Sequence, residues 1–332
     1  MRVLRHIAEA TDGLRGGAVA IGNFDGVHRG HQALIGRCGA MARQSGGPLV
    51  ALTFEPHPRS IFQPDAPPFR MTPFRSKARL LAELGVDYLV ALRFDHHISR
   101  KPAVEFVEDF LVRGLGARHV VVGYDFVFGH RRSGDAGVLA ECGRQHGFEV
   151  TVLEPVVHDD DVCSSTIIRI DLETGRTRRA AELLGHWWEI EGRVRGGDKR
   201  GRQLGFPTAN LHLKTAALRP ALGVYAIRFG LDEGGETRWY PGVANLGQRP
   251  TFDGQGVILE AHLFDFSADI YGRHGRVAFV DHLRPERKFN GIDEIKAQIG
   301  RDCEQARAVL ADPANALDHF AMRPTPLRGA GG

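Results

Sequence analysis

Cysteine is scarce in this chain: four among 332 residues, Cys38, Cys142, Cys163 and Cys303. No two stand as CxxC, which argues against a zinc site or a disulfide framework and for a reducing compartment. Long apolar runs are missing as well. None reaches the length of a membrane span. Met1 to Leu14 carries Arg2, Arg5, His6, Glu9 and Asp12 where a signal peptide would have its apolar core. A cytoplasmic protein is expected. Charge of one sign is not in excess: 43 basic residues against 40 acidic ones give a formal net charge of +3. That balance argues against nucleic acid or a membrane as a partner and suits phosphorylated small molecules. The chain also lacks a GxxxxGK[ST] loop and any internal repeat.

What is present suggests about two domains, since the length exceeds that of one typical domain and each half can bury its own core. Strand-like runs at 18–22, 49–54, 86–94, 119–122 and 148–153 alternate with helical patterns. The helices are expected from His31, after a Thr72-Pro73 N-cap and up to Gly85, over Pro102–Arg113 before Gly114, and over Gly137–His146. This alternation predicts a parallel sheet covered on both faces, with ligands beyond the carboxyl ends of its strands. After about residue 185 the pattern changes. Short runs at 187–194, 223–229, 238–243, 257–264 and 276–282 are separated by turns such as Asp232-Glu233-Gly234-Gly235. They predict an antiparallel barrel. A closing helix over Ile292–Leu310 is expected to bury Ile292, Ile295, Ile299, Cys303 and Ala306. The predicted division is 1–185, 186–322 and a disordered tail at 323–332.

Two segments carry chemistry. The first is Gly22-Asn23-Phe24-Asp25-Gly26-Val27-His28-Arg29-Gly30-His31, between the first apolar strand and a helix. Imidazoles three residues apart share a helix face. The helix start adds backbone donors and a positive dipole end for phosphate, and Gly26 and Gly30 allow close approach. Attack of one phosphate on another needs charge stabilisation and alignment more than a protein nucleophile. A surface histidine pair or a two-histidine metal site is the bland alternative, which the strand-to-helix context disfavours. The second segment is the basic, glycine-rich run Gly196–Gly201 followed by Leu204-Gly205-Phe206-Pro207-Thr208-Ala209-Asn210. Glycine-rich loops by themselves are usually turns.

With those residues in view, the first segment resembles the HxGH signature of nucleotidylyltransferases, in the version found in bacterial FMN adenylyltransferases. Thr53-Phe54-Glu55-Pro56-His57-Pro58, Gly123-Tyr124-Asp125-Phe126-Val127-Phe128-Gly129 and Ser164-Ser165-Thr166-Ile167-Ile168-Arg169 resemble further motifs of that family, in order. The resemblance implies that His28 and His31 stabilise an adenylyl transition state and that Asn23 and Asp125 place the reacting groups. Gly22, Asp25, Gly30, Ser165, Thr166 and Arg169 would then serve the nucleotide and its phosphates. Phe54, Pro56, His57, Pro58, Phe62, Phe126 and Phe128 would face the flavin. Phe126 and Phe128 are equally well read as core, and Ser164-Ser165-Thr166 as an N-cap. Arg169, one turn on, favours phosphate.

The second segment resembles the GxPTAN motif of riboflavin kinases. Gly247-Gln248-Arg249-Pro250-Thr251-Phe252, Leu259-Glu260-Ala261-His262-Leu263-Phe264 and Leu283–Phe289 match in order. By that resemblance Gly205, Pro207, Thr208 and Asn210 bind nucleotide, with Thr208 and Asn210 on Mg²⁺ as hard ligands. Glu260 would accept the proton of the riboflavin 5′-hydroxyl; an outward-facing strand residue is the alternative. Arg249 and Arg287 would sit on the flavin side, or merely pair with carboxylates and solvent.

The resemblance spans about Gly22 to Arg307, with His186-Trp187-Trp188 departing at the junction. The expected fold is α/β: a Rossmann-like nucleotidylyltransferase domain and a C-terminal antiparallel β-barrel kinase domain with a closing helix. The implied protein is a bifunctional riboflavin kinase and FMN adenylyltransferase using Mg²⁺, ATP, riboflavin and FMN, and releasing FAD. One alternative is a single-activity flavin enzyme whose other domain is a regulatory flavin-binding module. Another is a barrel that grips RNA, which the near-neutral charge disfavours. Oligomeric state, including a monomer with transient self-association, stays open.

Overall fold

The computed structural model describes residues 1–9, 12–196, 206–213, 217–233, 236–251 and 254–320. The tail expected at 323–332 and most of the glycine-rich loop after Gly196 lie outside them. Contacts divide the chain into two units: Met1–Pro67 with Thr72–Ser164, and Pro68–Met71 with the described residues from Ser165 onward. The sequence junction after residue 185 lies two helices further along the chain than this division.

The first unit is built on a six-stranded parallel sheet. Its strands are β1 (Arg2–Leu4), β2 (Ala18–Ile21), β3 (Leu49–Glu55), β4 (Tyr88–Arg93), β5 (His119–Gly123) and β6 (Glu149–Leu153), in the order β1-β4-β3-β2-β5-β6. Strand periodicity assigns residues to the two faces. Val19, Ile21, Val50, Leu52, Val120 and Val122 enter one core, while Ala18, Ala20, Ala51, Leu89 and Val121 enter the other. The second core is covered by α1 (Arg29–Ser45) and α3 (Phe74–Glu83), through Leu34, Ile35, Cys38, Leu80 and Leu81. The first is covered by α5 (Ala103–Phe106), its π-helical continuation Val107–Gly114, and α6 (Ala136–His146). Continuous apolar runs such as Ala18–Ile21 are therefore buried on both sides, as parallel sheets require. Two short helices, α2 (Pro58–Phe62) and α4 (His96–Ser99), follow β3 and β4. The hairpin β7 (Val157–His158) and β8 (Asp161–Val162) completes the unit.

Strand β2 lies between β3 and β5. The chain winds outward from β2 to β3 and β4, then returns to β5 on the other side. That reversal is a topological switch point, and ligands in such sheets bind beyond the strand ends there.

One expectation fails locally. Thr72 does not cap α3; Pro73 occupies the N-cap position. The Thr72 hydroxyl instead accepts from the Gly26 amide at 2.7 Å.

The second unit opens with α7 (Ser165–Glu173) and α8 (Thr177–Leu184). Strands β9 (Glu189–Arg193), β10 (Ala209–His212), β11 (Gly223–Glu233), β12 (Glu236–Thr251), β13 (Gly254–Leu263) and β14 (His274–Arg284) follow. They form an antiparallel sheet in the order β10-β13-β12-β11-β14-β9. The sheet curls until residues at its two edges meet: Arg195 bridges Asn210, and its amide donates to the Asn210 carbonyl at 2.8 Å. On one face Val224, Ala226, Val243, Ala278 and Val280 pack with Ala181 of α8 and with Ala306 and Leu310 of α9 (Ile292–Ala311). Tyr225, Ile227 and Phe229 alternate with them and are fully buried on the other face.

The closing helix meets the expected stripe in part: Ala306 is buried, and Ile295, Ile299 and Cys303 are half-buried. Ile292 is exposed, and Gln298, Asp302, Ala306 and Leu310 are the buried positions. The polar members are inside because the Arg284 guanidinium forks onto the Asp302 carboxylate at 2.7 and 2.9 Å, and Gln298 donates to Asp302 at 2.7 Å.

Candidate active sites

At the carboxyl end of β2 the backbone runs through Gly22 into α1 along an unusual path. Phe24 (φ 50°), Gly26 (φ 90°) and Val27 (φ 45°) all have left-handed dihedrals. Glycine accepts this freely, but for a phenylalanine and a β-branched valine it costs roughly 1–3 kcal/mol each. Burial and hydrogen bonds hold the shape. Phe24 and Val27 are fully buried. The Thr53 hydroxyl donates to the Asn23 carbonyl at 3.3 Å. The Thr72 amide donates to Asp25 Oδ1 at 2.9 Å. The Gln32 side-chain amide donates to the Val27 carbonyl at 2.9 Å.

This path sets His28 at the N-cap of α1. The His28 and His31 rings stack, with centroids 3.7 Å apart and planes 25° apart, and Phe24 packs edge-on against His31 at 5.3 Å. No acidic residue stands in the first turn of this 17-residue helix, so its positive end is uncompensated there. A side chain at Gly30 would be crowded: a β-carbon there would lie 3.1 Å from the His28 ring and 3.3 Å from the Cys163 carbonyl, so those neighbours would have to give way. Stacked imidazoles over a helix start can stabilise charge developing on a phosphate. Gly22, Asn23, Asp25 and Gly30 all belong to this loop and helix start. Asp25, however, is only 2 % exposed, and its Oδ1 faces Thr72.

The flavin-side motifs leave the same edge of the sheet, after β3 and β5, the two neighbours of β2. Asp125 and Tyr124 are exposed there. Aromatic rings form a row: Phe62 to Phe94 (5.6 Å), Phe94 to Phe54 (5.6 Å), Phe54 to Phe106 (6.0 Å), Phe106 to Phe128 (5.7 Å) and Phe128 to Phe126 (5.1 Å). Its members differ in role. Phe128 is buried in the core, Phe54 and Phe126 are partly buried against it, and Phe62 is 64 % exposed. His57 is buried and its Nδ1 accepts from the Arg59 amide, capping α2, whose first residue is Pro58; Pro56 is exposed. Beneath this loop Glu55 pairs with the buried Lys77 at 3.0 Å. A cavity of about 340 Å³ after β4 is lined by His96, His97, Arg100, Lys101, Pro102 and Glu105; none of these belongs to a motif.

Ser165 and Thr166 begin α7 in the second unit. Arg169, on the next turn, donates from Nε to the Phe69 carbonyl at 3.0 Å and lies 5.5 Å from the Phe69 ring.

The second unit brings its motif residues together by strand register. Asn210 on β10 stands directly opposite Glu260 on β13, and Glu260 stands opposite Asn245 on β12. Asn210 is buried and Glu260 half-buried. Thr208 precedes Asn210 by two residues, a spacing that puts both side chains on one side of an extended chain. Two neutral oxygen donors leave room for water and phosphate oxygens, which is how Mg²⁺ is usually held. Among the described residues no three His, Cys, Asp or Glu side chains gather as a metal cage; a hydroxyl and an amide oxygen are hard donors that suit a cation shared with a nucleotide. His262 Nδ1 lies 2.9 Å from the Pro207 carbonyl and anchors the run into β10. Asn245 donates to Glu286 at 3.5 Å. Arg287 lies over the Phe289 ring at 4.6 Å and pairs with Glu294 at 3.5 Å. Gly205 and the side chain of Arg249 lie outside the described residues.

Sequence reasoning missed Thr72, Gln32, Asn245 and His262. The first two look like a cap and a helix residue; the contact of Thr72 across the fold and that of Gln32 back onto the strained loop reveal them. His262 belongs to the Leu259–Phe264 motif and Asn245 stands two residues before Gly247, but their partners depend on register.

Comparison with known proteins agrees with this geometry. A family model described as FAD synthetase matches residues 11–167, and one described as riboflavin kinase matches 184–310. Three similar curated proteins are each named a bifunctional riboflavin kinase/FMN adenylyltransferase. The Escherichia coli K12 protein is 42% identical over 92% of this chain and 97% of its own length. The Pseudomonas fluorescens protein is 41% identical over 95% and 100%. The Bacillus subtilis protein is 36% identical over 87% and 90%. A crystal structure described as a macrolide-efflux protein from Streptococcus pneumoniae superposes with a TM-score of 0.81 at 31% identity, over 92% of this chain and 98% of that one. In this chain no helix among the described residues is long and apolar enough to cross a membrane.

Proposed function

The chain belongs to the family of bifunctional riboflavin kinases/FMN adenylyltransferases, and from that premise we propose how its residues divide the two reactions. Its activities are the phosphorylation of riboflavin to FMN by ATP and the adenylylation of FMN to FAD. Both family models match, so the single-activity alternative has no support. The adenylyltransferase is assigned to residues 1–185 and the kinase to 186–322. One observation carries the residue assignment: each unit has its own phosphate-handling geometry, a stacked imidazole pair in one and the Asn210–Glu260 pair in the other.

In the kinase reaction Glu260 takes the proton of the riboflavin 5′-hydroxyl as its oxygen bonds to the γ-phosphorus of ATP. The bond from that phosphorus to the bridging oxygen breaks and ADP leaves. A primary alcohol needs this base, since it is a poor nucleophile while protonated. Thr208 and Asn210 hold Mg²⁺, which when bound neutralises phosphate charge. Asn210 suits the task because its main chain is fixed on both sides, by β13 and by Arg195. Asn210→Ala should raise the Mg²⁺ concentration needed for half-maximal FMN formation about tenfold; an unchanged midpoint removes Asn210 as a ligand. Gly205, Pro207, Arg249 and Arg287 are assigned to ATP and the flavin by their motifs.

In the second reaction a phosphate oxygen of FMN attacks the α-phosphorus of ATP, and pyrophosphate leaves. His28 and His31 stabilise the charge that develops, while the helix start and the Gly22, Asn23 and Gly30 backbone approach the nucleotide. Asp125, Ser165, Thr166 and Arg169 serve the reacting groups and phosphates. Phe54, Phe62, Phe126 and the Pro56–Pro58 loop receive the flavin, with Phe128 behind them. A cytoplasmic setting is supported by four free cysteines.

The test is chromatography of products from riboflavin, ATP and Mg²⁺. Transient FMN followed by FAD is expected. FMN alone would remove the adenylyltransferase assignment. If neither product formed and FMN supplied directly were also left unconverted by a folded protein, the flavin reading itself would fall.

A further inference from the structure

We propose that Thr72 is a positioning residue for adenylyl transfer, holding the Asn23–Val27 loop in the one shape that presents the stacked His28 and His31. The inference rests on the reading that those imidazoles serve that reaction.

The loop cannot hold its path by local preference. Three of its residues have positive φ, and two of these are phenylalanine and valine. Such conformations persist where the surroundings over-determine them. Among the described contacts, the loop's anchors come from three places. Thr53 on β3 reaches Asn23. Gln32 on α1 reaches Val27. Thr72 engages two successive residues: its amide donates to Asp25 Oδ1, and its hydroxyl accepts from the Gly26 amide. The two bonds close a clamp across 46 and 47 residues of chain, at the point where the left-handed turn begins.

Thr72 is suited to this role. The following proline disfavours the helical region for its backbone, and its β-branched side chain is stiff at χ1, which keeps the amide and hydroxyl in one relation. Both bonds are buried, away from competing water. Asp25 is shielded in the same way, 2 % exposed, with Oδ1 accepting from the Thr72 amide. Loss of the clamp leaves the histidines in place along the sequence but frees the turn that aligns them. A misplacement of about 1 Å can cost about a hundredfold in rate.

The experiment compares Thr72→Val, which keeps the amide bond and removes the acceptor, with Thr72→Ser, which keeps both. FMN adenylylation and riboflavin phosphorylation are measured in the full chain, and His28→Ala is run beside them. We expect Thr72→Val to lower kcat for FAD formation tenfold or more, with KM for ATP and FMN within twofold of the parent. Thr72→Ser should restore kcat to within twofold, and riboflavin phosphorylation should be unchanged in both. Parental kcat in Thr72→Val, while His28→Ala is inactive, overturns the proposal and leaves the histidine assignment standing. A raised KM at unchanged kcat overturns it too, because Thr72 would then be a substrate contact. FAD formation by His28→Ala would instead sink the histidine reading. Should Thr72→Val not fold, Asp25→Ala removes the acceptor of the other bond and is judged by the same kcat and KM criteria.

Discussion

Asn210 and Glu260 face each other residue to residue across β10 and β13. The pairing is made by main-chain bonds, so the alignment survives changes to either side chain. The stacked imidazoles lie in one unit of the chain and the Asn210–Glu260 pair in the other, so a variant at either pair has the reaction proposed for the other pair as its internal control.

Glu260→Gln keeps the shape of the side chain and removes its basicity. Riboflavin phosphorylation should fall by about 10²- to 10⁴-fold, the usual contribution of a general base. FMN adenylylation should stay within twofold. Product chromatography with riboflavin and, separately, with FMN reads both. Retained FMN formation would mean that Glu260 is not the base.

The phenylalanine row separates structural from binding roles. Phe128 is a core residue, so Phe128→Ala should cost about 3–5 kcal/mol and shift the urea midpoint accordingly. Phe62 is 64 % exposed. Phe62→Ala should leave stability within about 0.5 kcal/mol and raise KM for FMN several-fold. Equal stability losses in the two variants would contradict this division, and an unaltered KM would take Phe62 out of the flavin site.

These roles show what could be read from sequence and what could not. Strands β2 to β6 of the first unit are visible as apolar runs because both sheet faces are buried, as in Ala18–Ile21, whereas β1, the helices α2 and α4 and the β7–β8 hairpin are too short to show. The motifs are visible because phosphate chemistry restricts residue identity at fixed spacing. Contacts across the fold are not visible in that way. A threonine before a proline looks like a helix cap, yet the Thr72 hydroxyl serves Gly26. Helical periodicity put Ile292 inside α9, but the Arg284 fork draws Asp302 and Gln298 in instead. Phe128 and Phe62 are the same residue type, each read as facing the flavin; only their packing tells them apart. Strand β10 was missed because it is four residues long and opens on Ala209 and Asn210, a run with little strand signature.

His119 gives stability a pH dependence. It is buried on β5, with Nε2 2.8 Å from the Thr151 hydroxyl and Nδ1 3.3 Å from Glu149. Burial holds its pKa below the ordinary histidine value; Glu149 works against that shift and Arg37 with it. The unfolded chain therefore binds a proton first as pH falls through about 6.5. Stability should decline from there down to the lower, folded-state pKa. Between pH 7.5 and 5.5 the thermal midpoint of the parent should fall further than that of His119→Gln. Equal falls would rule out His119 as the source.

Val27 sets two opposing terms against each other. Replacing it with glycine relieves a strained dihedral, a gain of about 1–3 kcal/mol. The same change removes a fully buried side chain, which with the cavity left behind costs about 2–4 kcal/mol. Glycine's greater freedom in the unfolded chain adds about 0.5–1 kcal/mol to that cost. The sum is a net destabilisation of about 2 kcal/mol, too little to empty the folded state of a typical domain. FMN adenylylation by Val27→Gly should nonetheless fall at least tenfold at 25 °C, because the turn that sets the His28–His31 stack has lost its side-chain anchor. Riboflavin phosphorylation should be unchanged. A variant more stable than the parent would show that strain outweighs packing at this position. Parental adenylylation would show that the rigidity of the loop is immaterial to the reaction.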